Sequence, residues 1–181
     1  MRVEVTHRFA LPLRDGFDYI VEPHNWPEYW PGLIRVQPGS RWRAPGDRAR
    51  VVMRFVGRSV ELEMTLRTFE PYRLVEYTSV QHGLPDMRHE RGFSAVRDGF
   101  EYRLAVEVEP RAGLRGALDR ALVRRAVERT LQQTVSNLEG RLERARGRRG
   151  EARTSLSRRI AHPAAATAAG MSARSVLMYS S

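Results

Sequence analysis

His89 and Arg91 stand two residues apart in a segment, residues 87–96, that reads as a β-strand. Side chains two apart on a strand leave the backbone on the same face. A guanidinium there can pair with a carboxylate or phenolate. The imidazole beside it can bond a carbonyl or move a proton near neutral pH. Tyr77 and Tyr102 share the inward phase on neighbouring strand-like segments and offer hydroxyls that would orient an oxygenated ring. A tyrosine at such a place also serves plain core packing, and a bulge in 87–96 would turn His89 and Arg91 to solvent. His7 shares the inward phase near the chain start, where a structural role suits it, while His24 and His82 fall at positions expected to be exposed. The five histidines form no His-x-x-x-His or similar cluster, so no metal site is expected. No glycine-rich phosphate loop and no serine nucleophile motif stands out, and no cofactor is expected. The chain has neither lysine nor cysteine. That excludes Schiff-base chemistry, disulfides and thiolate catalysis.

The elements that must position these groups follow from periodicity. Residues 2–9 alternate, with Val3, Val5, His7 and Phe9 on one face. Asp15 is placed to cap a short helix carrying Phe17, Ile20 and Val21. Next comes Asn25-Trp26-Pro27-Glu28-Tyr29-Trp30-Pro31-Gly32, an aromatic elbow stiffened by two prolines, with one helical turn expected at 26–30. The elbow is expected to pack one tryptophan in the core and to line a pocket entrance with the other. A weak strand at 33–37 precedes five stronger ones, at 48–56, 59–69, 73–81, 87–96 and 100–109. Each buries one face, which argues for an antiparallel sheet with one solvated side. Met53 and Phe55, then Leu62 and Met64, lie on its apolar face. Beyond Pro110 the period becomes helical. Val123, Val127, Leu131, Val135, Leu138 and Leu142 make a stripe, preceded by Leu114, Leu118 and Leu122, and predict a helix over roughly 114–144. Stripe and sheet must bury each other.

The net charge of +10 is uneven. Residues 144–181 hold eight arginines and one glutamate, leaving +3 for residues 1–143. The pattern supports one domain at 1–144 and an Arg/Ala/Ser-rich tail at 145–181 without regular structure. No apolar run is long enough to cross a membrane as a helix, and Met1 leads directly into strand alternation without a signal-peptide core. With the absence of cysteine, this sets the expectation of a cytoplasmic protein.

The order of elements, with the elbow, Phe93-Ser94-Ala95-Val96-Arg97-Asp98-Gly99 and the Leu/Arg-rich last helix approached by Pro110-Arg111-Ala112-Gly113-Leu114, resembles the SRPBCC superfamily. Its START-like, or helix-grip, fold is α+β, a curved antiparallel sheet of about six or seven strands wrapped around a long C-terminal helix. Two short helices follow the first strand. The resemblance is strongest to bacterial polyketide cyclase/dehydrase and lipid-transport members. It implies an internal pocket for a hydrophobic small molecule, lined by Trp26, Trp30, Met53, Phe55, Leu62, Met64, Tyr77, His89, Arg91, Tyr102, Leu131 and Val135. Binding or transport of a lipid or polyketide-like ligand is the first reading. An aromatase/cyclase using His89, Arg91, Tyr77 and Tyr102 is the alternative. Contact of residues 145–181 with anionic lipid or RNA is a third, with no stable nucleic-acid partner expected.

Overall fold

The computed structural model describes the backbone of residues 1–55, 58–80, 86–108 and 115–161, and the side chains of 1–54, 58–80, 86–108 and 123–147. Two compact units, Met1–Arg146 and Gly147–Ser181, divide the chain. The first holds seven strands: β1 (Arg2–Phe9), β2 (Leu33–Val36), β3 (Arg48–Phe55), β4 (Arg58–Glu70), β5 (Leu74–Val80), β6 (Met87–Val96) and β7 (Gly99–Val108). All pair antiparallel in the order β1-β7-β6-β5-β4-β3-β2. The chain returns its last strand to its first, as Arg2 pairs with Glu107 and Phe9 with Phe100.

Alternation sets two faces. On the concave face Val75, Tyr77 and Ser79 of β5, His89, Arg91 and Phe93 of β6, and Phe100, Tyr102, Leu104 and Val106 of β7 are buried. The convex face carries charges paired across strands, among them Arg2 with Glu90, Arg8 with Glu101, Arg48 with Glu63 and Arg103 with Glu90. Exposed pairs of this kind add little stability each. They leave the concave face as the one that drives folding.

Between β1 and β2 lie α1 (Leu13–Val21), a 3-10 turn at Pro23–Asn25 and the one-turn helix α2 (Trp26–Tyr29). Asp15 does not cap α1. Pro12 occupies that position, and Asp15 sits within the first turn, where a negative charge complements the helix dipole. Gly32 ends the elbow at φ 78°. A Cβ there would stand 2.9 Å from the Arg54 carbonyl oxygen, so the turn into β2 requires glycine.

The last helix, α3, spans Arg115–Ala161, further than the expected end near 144. Arg, Glu and Ala favour helix without needing an apolar stripe, so the helix outlasts the stripe. Leu131, Thr134, Val135, Leu138 and Leu142 are buried, and the four apolar ones join the core formed by the concave face. Val123 is exposed, so the packed stripe begins at the half-buried Val127 rather than four residues earlier. The side chains of Leu114, Leu118 and Leu122, the loop at 83–85 with His82, and the tail beyond Ala161 lie outside the described residues.

Candidate functional site

Arg91 sits at the centre of the concave face with 2% of its surface exposed. Its Nη1 donates to the Ile20 carbonyl at 3.0 Å and to the Tyr29 hydroxyl at 3.2 Å. Its Nη2 donates to the Tyr77 hydroxyl at 3.2 Å. The rings of Trp26, Trp30 and Tyr77 lie 5.4, 5.4 and 5.3 Å from the guanidinium carbon, within cation–π range. Among the described residues no carboxylate pairs with it.

The C-terminal end of α1 takes the place of a counter-ion. Ile20 is the penultimate residue of α1, and the last carbonyls of a helix lack intrahelical donors and carry partial negative charge. The Ile20 carbonyl accepts from Trp26 Nε1 at 3.1 Å, from the Tyr29 hydroxyl at 2.7 Å and from Arg91. Asn25 closes the neighbouring Tyr19 carbonyl at 3.0 Å. Asn137 of α3 donates to the Tyr29 carbonyl at 3.0 Å. The elbow is thereby tied to α1, to β6 and to α3. Trp26 and Tyr29 are fully buried and Trp30 half-buried.

His89 stacks face to face on Tyr77, ring centroids 4.5 Å apart at 1°. Its Nε2 lies 2.9 Å from Ser79 Oγ. Burial, then the positive charge of Arg91, lowers its pKa to about 3. The imidazole is neutral at pH 7, which limits it as a proton acceptor. Burial raises the pKa of Tyr29, Tyr77 and Tyr102 despite Arg91, so all three are protonated phenols. A guanidinium keeps its proton in a protein, and the oxygens of Ile20, Tyr29 and Tyr77 that accept from Arg91 support its charge in the buried site. Arg91 is a permanent cation.

Three buried donors at the site have no hydrogen-bond partner: Arg91 Nε, Trp42 Nε1 and the Tyr102 hydroxyl. Trp42 packs edge-on against Tyr77 at 5.2 Å and Trp26 at 5.1 Å, so all three tryptophans of the chain gather here.

Of the residues expected to line a pocket, Trp26, Leu62, Met64, Tyr77, His89, Arg91, Tyr102, Leu131 and Val135 are buried, and Trp30 and Met53 are half-buried. The Phe55 side chain lies outside the described residues. Strand phase holds across 87–96, and Arg91, Tyr77, Trp26 and Trp30 meet directly. Sequence reasoning did not assign Tyr29, Trp42, Ser79 or the Ile20 carbonyl to the site. Tyr29 was within reach, lying in the elbow itself; the bond to Ile20 depends on how α1 and the elbow fold back on each other. His7 is the register partner of Tyr102 and its Nε2 lies 3.3 Å from Glu139, while His24 is exposed. A concavity of about 420 Å³ touches Tyr77 and His89 of this cluster and opens among Arg2, Arg67, Glu76, Arg88, Glu90 and Glu107. These last six are convex-face residues of both charges, unlike the aromatic cage around Arg91.

The family model described as polyketide cyclase / dehydrase and lipid transport matches residues 1–143. The chain belongs to this family. It is thus an SRPBCC protein with a helix-grip fold suited to hydrophobic ligands, in agreement with the resemblance seen in the sequence. Among curated proteins none matches it. The Zhui aromatase/cyclase from Streptomyces sp. R1128 is similar in structure, with a TM-score of 0.67 at 16% identity over 80% of this chain and 94% of that one. TTHA0849 from Thermus thermophilus gives 0.66 at 17% identity, over 80% and 99%. The di-domain aromatase/cyclase StfQ of the steffimycin biosynthetic pathway gives 0.63 at 18% identity, over 81% of this chain and 51% of that one. At these identities the likeness is one of fold. Among the described residues no helix is long and apolar enough to cross a membrane.

Proposed function

We propose that this cyclase/dehydrase-family protein binds or carries a hydrophobic small molecule between the concave face of its sheet and α3. The observation that supports this most is the aromatic cage around a buried, permanently charged Arg91 that lacks a carboxylate partner among the described residues. A buried cation without an ion pair is costly for the protein alone, and a site of convergent polar groups among apolar walls is what a small ligand needs. The way in lies where the inner face is least covered. Met53 and Val60 are register partners and half-buried, as are Met87, Val127 and Trp30.

Binding is favoured over cyclisation because His89, the imidazole of the cluster, is held neutral far below pH 7. The aromatase/cyclases among the similar structures keep catalysis as the second reading. Native mass spectrometry of the protein from its own host tests the first. A co-purifying lipid or polyketide-like molecule, lost in a Met64→Arg variant, is the expected result. Protein that is always empty, and that turns over a polyketide chain with dependence on His89, would reverse the order of the two readings.

A further inference from the structure

The polar end of the ligand is written in the donors the fold leaves unused. Arg91 Nε and the Tyr102 hydroxyl have no partner, although both residues are almost wholly buried. They are neighbours on the concave face. Arg91 opposes Leu104 across β6 and β7, and Tyr102 is the next inward residue of β7. Diagonal positions of this kind are within reach of long side chains. The nearby Trp42 indole is a third unused donor. Each of these three groups can donate; the fourth unpartnered atom, His7 Nε2 on the register partner of Tyr102, has the Glu139 carboxylate 3.3 Å away.

We propose that this interior takes the carboxylate of a hydrophobic acid, received by Arg91 Nε and the Tyr102 hydroxyl. The proposal rests on the reading of the concave interior as a ligand site and adds the chemistry of its head group. An ammonium group would be repelled by the charge of Arg91. An alcohol or ester would satisfy one donor and leave the guanidinium with only the partial charge of the α1 C-terminus. A carboxylate accepts from several donors and neutralises the cation at once. The unused atoms are sealed from water in the closed arrangement, so the acid enters as the cover moves. Trp30 is the half-buried ring over the guanidinium, in edge contact with both Trp26 and His89. It is the element whose displacement exposes Arg91, and the carboxylate then replaces a ring face as the partner of the cation.

The three tryptophans make the test direct. Energy transfer from them to cis-parinaric acid, and to its methyl ester, gives two affinities at pH 7.5. Displacement by 2-naphthoic acid and by methyl 2-naphthoate gives a second pair with a compact ring system. A charged hydrogen-bonded pair corresponds to roughly 10–100-fold in affinity. Wild-type protein is expected to prefer each acid over its ester by about tenfold or more. Arg91→Met is expected to abolish the preference, and Tyr102→Phe to reduce it several-fold. Tyr102→Phe removes a hydroxyl that has no partner in the fold, so it keeps the test valid if Arg91→Met does not fold. Equal binding of acid and ester by the wild type would overturn the carboxylate, the unused donors then being met by buried water, while the hydrophobic-ligand reading stands. A preference unchanged in the folded variants would place the acid elsewhere and overturn it too. Binding of none of the four compounds would overturn the head group and count against the interior ligand site as well.

Discussion

Acid should unfold this protein through His89 more steeply than its surface chemistry implies. The imidazole is buried against Tyr77 with Arg91 nearby, and its pKa falls from 6.5 to about 3. The fold therefore accepts only the neutral ring, whereas the unfolded chain binds a proton below pH 6.5. The contribution is fully present above pH 6.5 and is lost as pH falls toward 3. At about 1.4 kcal/mol per pH unit, the whole window corresponds to about 5 kcal/mol, and the part between pH 6.5 and 5 to about 2 kcal/mol. Glu22 and Asp47, whose pKa values are lowered in the fold, also weaken the protein in acid. The informative quantity is therefore the difference between wild type and His89→Gln, which keeps an amide near Ser79 but does not titrate. Urea unfolding midpoints at pH 7.5, 6.5, 5.5 and 5.0 supply it. The wild type should lose about 2 kcal/mol more than the variant over this range. Parallel pH profiles would refute the argument, since they would mean that His89 takes up its proton in the folded state.

Two further outcomes follow from the strapping of the elbow and the packing of α3. Tyr29→Phe removes the hydroxyl that donates to Ile20 and accepts from Arg91; it should cost about 1–3 kcal/mol by denaturant titration and broaden the Trp26 and Trp30 signals. Leu138→Ala empties a fully buried position on α3; a loss of about 2–5 kcal/mol in calorimetry or urea unfolding is expected, and a loss under about 1 kcal/mol would show that α3 does not close the core.

The sheet was legible because each strand buries one face, and alternation carries that information residue by residue. The inward phase of His89 and Arg91 came from the same signal, though both are polar. The strands were expected at 59–69 and 87–96, and lie at Arg58–Glu70 and Met87–Val96. What periodicity could not carry was contact across the chain. Arg91 reaches Ile20 over 71 positions, and nothing local in either residue announces the other. The expected cap at Asp15 failed because an acidic residue suits the first turn as well as the cap. The end of α3 was misplaced because the apolar stripe marks where a helix packs, while Arg and Ala let it continue without packing.

The central claim is that the concave interior around Arg91, and not the charged outer face, receives a hydrophobic small molecule. The three indole N–H resonances of Trp26, Trp30 and Trp42 report on that interior, and the backbone amides of Thr78 and Arg88 report on the outer concavity. A ¹⁵N NMR titration with 2-naphthoic acid reads both at once. Saturable shifts of the Trp30 and Trp42 indoles, with the Thr78 and Arg88 amides unmoved, are the predicted result. Unmoved indoles, with or without shifts on the outer face, would contradict the account.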